Sequence, residues 1–216
     1  MKKVNQFGET VEGYNIPVLN EREIRAAAGI LFFFTFLSLM YILFKGDFLM
    51  IKYVITVFMI DFIIRVFISP KYAPTLIISK LIVGQQNPEY VGAAQKKFSW
   101  IIGVVLSTAM FVLMVLMNSY SIITGLICLL CLIFLFFESV FGICLGCLLY
   151  NMVYKENAQH CPGEICEVKD KHEIQKVSII QIIIVLIMVG SVFLIGFLFN
   201  DLFNIKPHDL FDSIKH

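Results

Sequence analysis

IITGLICLLCLIFLFFESVFGICLGCLLY, residues 122–150, decides the fold class. Glu138 is the single charged residue in it. Apolar runs of about 18 residues or more mark transmembrane helices. This run is longer than a straight crossing needs, so it is expected to tilt or to project beyond the hydrocarbon. Comparable blocks lie at 24–44, 49–69, 98–117 and 177–199. The whole chain is 59% hydrophobic and 15% charged, where soluble domains hold about 45–50% apolar and about 25% charged residues. The expected fold is an all-α membrane protein with five transmembrane helices and one short interfacial helix.

Each boundary has a local cause. Asn20 and Glu23 have capping-box spacing and open the first helix. Lys45-Gly46-Asp47 is a tight turn, and Ser69-Pro70 stops the second span because the residue before proline disfavours helix. PTLIISKLIVGQ, residues 74–85, is short and amphipathic and reads as the interfacial helix. Trp100 stands near one end of the third span, where indoles favour the headgroup region. The chain divides into a polar arm (1–23), a four-span core (24–153), a polar cysteine loop (154–176), and a fifth helix with a short tail (177–216). VNQFGETVEG at 4–13 is polar where a signal peptide would be apolar, so the first span is expected to be retained. No internal repeat is apparent.

Lysine and arginine set the expected orientation. Twelve fall on the side of residues 1–25, 70–97 and 155–176, and four on the other. The richer side should be cytoplasmic, with the N-terminus inside and the C-terminus outside. The net charge of +1 and the lack of a basic patch interleaved with aromatics give no sign of a nucleic-acid partner.

Three ionisable residues fall inside spans. Asp61 and Arg65 are four apart and share a helical face. Glu138 lies in the middle of the fourth span. Such groups are costly in lipid and should face the bundle interior with partners. A structural ion pair accounts for Asp61–Arg65, and a hydroxyl or a proton accounts for Glu138; a proton relay or ion site is the sharper alternative. On a continuous helix Glu138 and Cys147 would face opposite ways. Gly142 and Gly146 form a small-xxx-small face for close helix packing.

The cysteines carry the candidate chemistry. Cys144 and Cys147 are three apart at one end of the long apolar run, and Cys161 and Cys166 flank a Pro-Gly turn in the polar loop. Either pair can cycle between dithiol and disulfide. The same four can also bind a soft metal such as Zn, Cu or Fe, with His160 as an alternative ligand. Glu156, Glu164, Glu167 and Asp170 crowd the loop and favour a cation over a thiolate there. Cys128 and Cys131 read as packing residues. No Walker loop, GxGxxG, HExxH or GxSxG occurs, and His160, His172, His208 and His216 lie outside the spans.

IPVLNEREIRAAAG (16–29), DFIIRVFISPKYAP (61–74), AAQKKFSWIIGVVL (93–106) and ESVFGICLGCLLY (138–150) together resemble the bacterial membrane family called domain of unknown function 4395. The FGxCxGC core of the last segment is the most specific. The resemblance covers about residues 16–153. It implies a multi-span protein of the bacterial inner membrane and singles out Asp61, Arg65, Glu138, Cys144 and Cys147. It brings no established activity. The expected function is a thiol-disulfide or sulfane-sulfur relay through Cys144, Cys147, Cys161 and Cys166, with a thioredoxin-like or rhodanese-like cytoplasmic partner. A metal-binding or metal-transporting protein using the same cysteines, and a structural membrane subunit, are the alternatives.

Overall fold

The fold is that of a computed structural model, which describes residues 7–12, 14, 16–154 and 177–209. It is a helical membrane protein with two short β pairings. Strand β1 (Val18–Asn20) leads into α1 (Glu21–Lys45). The Asn20 side chain accepts from the Arg22 N–H and donates to Glu23 at 2.9 Å, which fixes where α1 starts. Gly46, in the left-handed region, ends it. Helix α2 (Leu49–Ile63) runs into a π-helical turn, Ile64–Ile68, and stops at Ser69-Pro70. Helix α3 (Pro74–Val83) follows, then β2 (Tyr90–Gly92) and α4 (Ala93–Phe111) with its own π turn at Val112–Leu116. After β3 (Ser119–Tyr120) come α5 (Ile122–Phe136), a third π turn at Phe137–Phe141, and α6 (Leu145–Tyr154). Helices α7 (Ile179–Leu198) and α8 (Asn200–Asn204) and strand β4 (His208–Asp209) complete the described chain.

Among the described residues four helical segments are long and apolar enough to cross a membrane: Glu21–Lys45, Ala93–Leu116, Ile122–Phe141 and Ile179–Leu198. The segment 49–69, expected as the second of five spans, is continuous helix through Ile68 but carries Lys52, Asp61 and Arg65, all buried, and is not one of these four. Its charges point into the protein, where Lys52 and Arg65 find partners.

The sequence reading is corrected at three places. The expected span 122–150 is not one helix. It ends at Gly142, whose φ of 68° is left-handed, and α6 starts afresh at Leu145. Trp100 is not an interfacial anchor. It is 1% exposed in the core formed by Ile24, Ala27, Leu31, Phe58, Phe62 and Leu135. Helix α3 does not rest on the surface alone: it packs between α1 and α7 and buries Thr75, Ser79 and Lys80.

Sequence inspection did not reveal the β pairings. Val18 pairs with Gly92 and Asn20 with Tyr90, antiparallel. The Glu21 N–H donates to the Glu89 carbonyl at 2.6 Å, and the Ala93 N–H to Pro17 at 3.0 Å. This short ribbon holds the first turns of α1 and α4 side by side. At the other end, β3 pairs with β4 in parallel.

Candidate functional site: a buried lysine beside a cysteine pair

The ribbon places Glu21, the first residue of α1, against Lys96 in the first turn of α4. The Lys96 Nζ lies 3.0 and 2.8 Å from the two Glu21 carboxylate oxygens. It also donates to Glu138 Oε1 at 2.7 Å. Lys96 is wholly buried and Glu138 is 13% exposed. One ammonium therefore bridges two carboxylates from separate elements. A buried charge left unpaired costs several kcal/mol, so these three residues hold α1, α4 and the turn after α5 in register. Glu138 thus pairs with a lysine of another helix, not with a hydroxyl.

The π turn and the break after it present Glu138 and the cysteines to this cluster. A π turn closes with i→i+5 bonds, and here the Gly142 N–H reaches the Phe137 carbonyl. A Cβ on Gly142 would lie 3.1 Å from the Arg25 guanidinium, in a backbone region that L residues rarely adopt. The break removes the single-helix geometry that would set Glu138 and Cys147 on opposite faces. Gly142 and Gly146 accordingly serve separate purposes. A Cβ on Gly146 would come within 2.6 Å of the Ser99 Cβ, so its absence lets α6 lie directly on α4.

Cys144 immediately precedes α6 and caps it. Its sulfur accepts the Cys147 N–H at 3.3 Å, as an N-cap oxygen does at the third helical residue. Both are thiols, and both are largely buried. They lie beyond Phe141, the last residue of the candidate span. The Cys147 thiol donates to Cys144 and lowers the Cys144 pKa; burial and the Glu138 carboxylate oppose this, while Lys96 and the Ser99 hydroxyl assist it. The same hydrogen bond, with burial, raises the Cys147 pKa. The pair is therefore asymmetric, with a thiolate-prone Cys144 and a proton-holding Cys147. A helix N-terminus and a nearby cation are the surroundings that make a cysteine reactive.

The other expected site residues fall elsewhere. Arg65 Nε donates to Asp61 Oδ2 at 2.7 Å, and Thr75 joins both: it accepts from Arg65 and donates to Asp61 through its hydroxyl and its N–H. The Arg65 guanidinium stacks over Phe62 and Trp100 at 4.6 and 5.1 Å. This closed network ties α2 to α3 and leaves the carboxylate no vacant role. Cys128 packs with Ile51, Ile55, Met110 and Met114. Cys131 lines a small apolar cavity of about 30 Å3 with Thr35 and Phe58. Cys161 and Cys166 lie outside the described residues. Among the described residues no three His, Cys, Asp or Glu side chains gather to hold a metal ion, so a four-cysteine site for Zn, Cu or Fe depends on those two.

Sequence reasoning missed Lys96 and Glu21. Lys96 counted only as an orientation charge, and Glu21, between the capping residues Asn20 and Glu23, was given no role. A matching of acids to bases at the same helix ends would have drawn Glu21, Lys96 and Glu138 together.

A family model described as a domain of unknown function, DUF4395, matches residues 19–155. No curated protein and no solved structure matches the chain.

Proposed function

The chain belongs to the DUF4395 family, and from that premise we propose that it is a thiol-disulfide exchange protein of the bacterial inner membrane, with Cys144 as its nucleophile. The observation that carries this reading is the position of Cys144 at the N-terminus of α6, where its sulfur accepts the Cys147 N–H. Lys96 lends positive charge from α4, and Glu138, one of its two paired carboxylates, works against it at the sulfur.

The reaction balances as follows. The Cys144 thiolate attacks one sulfur of a partner disulfide, forms a mixed disulfide and releases one partner thiolate. Cys147 then loses its proton and attacks the Cys144 sulfur. The Cys144–Cys147 disulfide forms, and the second partner sulfur leaves as thiolate. Two electrons pass to the partner, which takes up two protons. Cys161–Cys166 is the nearest such pair along the chain, and a thioredoxin-like or rhodanese-like protein is the external one. Segment 49–68 is a fifth crossing in this reading, with its charges turned inward. The lysine-rich side, with the cysteines, faces the cytoplasm, where a cycling disulfide is transient.

The test is mass spectrometry of alkylated membranes after mild oxidation. Cys144 and Cys147 should lose alkylation together and regain it together after reduction. Cys144 that stays alkylatable while the membranes are oxidised would end the proposal.

A further inference from the structure

An open groove of about 490 Å3 lies between the first turns of α1, the segment after α3, and the π turn that carries Glu138. Arg22 and Arg25 stand one helical turn apart on its α1 wall, and Gln86, Glu89 and Ser139 add polar groups to its lining. Ala26, Gly29 and Val83 form the groove's floor, the small or apolar part of its lining. This volume suits a lipid headgroup.

The arginines are held but not used up. Arg22 donates to Glu89 at 2.6 Å and to Gln86 at 3.2 Å, which fixes its guanidinium on the wall. Its Nε is buried with no hydrogen-bond partner. Arg25 forms no ion pair among the described residues and makes one hydrogen bond, at 3.3 Å, to the Val140 carbonyl. A guanidinium carries five N–H donors, so most of those on Arg25 remain available. Two cations against Glu89 leave one positive charge on the groove. Glu21, one turn back, feels the Arg25 field, but its hydrogen bonds go to Lys96.

We propose that this groove binds a phosphate ester, and that its occupant is the phosphodiester headgroup of an anionic phospholipid. Guanidinium groups match phosphate oxygens in a planar, two-point fashion. The lipid source follows from location. The groove lies at the first turns of α1, one end of a candidate span, and its lining residue Val83 directly follows Leu81 and Ile82, whose side chains are exposed. Phosphate meets the arginines while the glycerol stem lies over Gly29 and the acyl chains continue into hydrocarbon. The inference is independent of the cysteine chemistry.

The experiment is calorimetric titration of the full-length protein in neutral detergent. Its three arms are short-chain phosphatidylglycerol, short-chain phosphatidylcholine and inorganic phosphate. Phosphatidylglycerol is expected to bind and to bind more tightly than phosphatidylcholine. Arg25→Gln should weaken it about tenfold, the loss expected for a charge-assisted contact. Gly29→Leu keeps both arginines and fills the floor. A Cβ there meets only the Ser139 Cβ, at an ordinary 3.7 Å, and this variant should also weaken binding. Equal affinity for the two lipids, or a phosphatidylglycerol affinity unchanged in both variants, overturns the proposal. Inorganic phosphate binding as tightly as phosphatidylglycerol overturns the lipid source and assigns the groove to a soluble anion.

Discussion

Cys144 and Cys147 differ in chemistry because one sulfur accepts hydrogen bonds and the other supplies one. A thiol with a lowered pKa reacts at lower pH than an ordinary thiol, which titrates near 8.5. The iodoacetamide rate at Cys144, with the other cysteines changed to serine or alanine one set at a time, should reach half its plateau at a lower pH than an unperturbed thiol does while Cys147 is present. Cys147→Ala removes the donor, so the midpoint should rise and the rate at pH 7 should fall. Mass spectrometry across a pH series reads both. Lys96 offers a second contrast at this scale. Lys96→Met leaves Glu21 and Glu138 buried without their cation and should cost about 3–5 kcal/mol. Its neighbour Lys97 lies over the Phe7 ring at 5.0 Å and is only half-buried. Lys97→Met should change stability by about 0.5 kcal/mol. Thermal unfolding in detergent separates the two.

The decisive element is the interrupted helix from Ile122 to Tyr154. Its apolar character is plain in the residues, but its break is not, because glycine is common in membrane helices. What forces the break is the neighbourhood: Arg25 lies against Gly142, and Ser99 lies against Gly146. Gly142→Ala should therefore cost about 1–2 kcal/mol from the left-handed backbone alone. Gly146→Ala should also destabilise, by about 1–3 kcal/mol, because α6 must lift from α4. Gly190 in α7 is a control with open space around it. Gly190→Ala should be neutral or stabilising by about 0.5–1 kcal/mol, since alanine is the better helix former. Chemical unfolding curves of the three variants test this order. The two π turns that carry Arg65 and Glu138 belong to this scale as well. Each lies where a helix runs out and an ionisable side chain must turn towards a partner.

Across the molecule, α7 is loosely attached. Only 6% of its apolar window is buried inside the protein, and the family match ends before it, at residue 155. Gln181 donates to the Lys71 carbonyl at 2.8 Å near one end of α7. Beyond its other end, buried Lys52 donates to the Ile205 carbonyl and to Asn118, both at 2.7 Å. A chain ending at residue 176 should fold with a lower Tm, because Lys52 loses its carbonyl acceptors. Lys52→Met in that shortened chain should recover part of the loss, as thermal unfolding would show. The residues alone determined the membrane class, the helix start at Asn20, the stop at Ser69-Pro70 and the Asp61–Arg65 pair. Those features depend on hydropathy and on neighbours within about one helical turn, which a linear reading contains. Tertiary structure alone decided the β1–β2 ribbon, the Lys96 bridge between Glu21 and Glu138, the burial of Trp100 and the break at Gly142. Each of these joins residues far apart in the chain, and the favourable term is the burial of a charge or ring against a partner that spacing does not name.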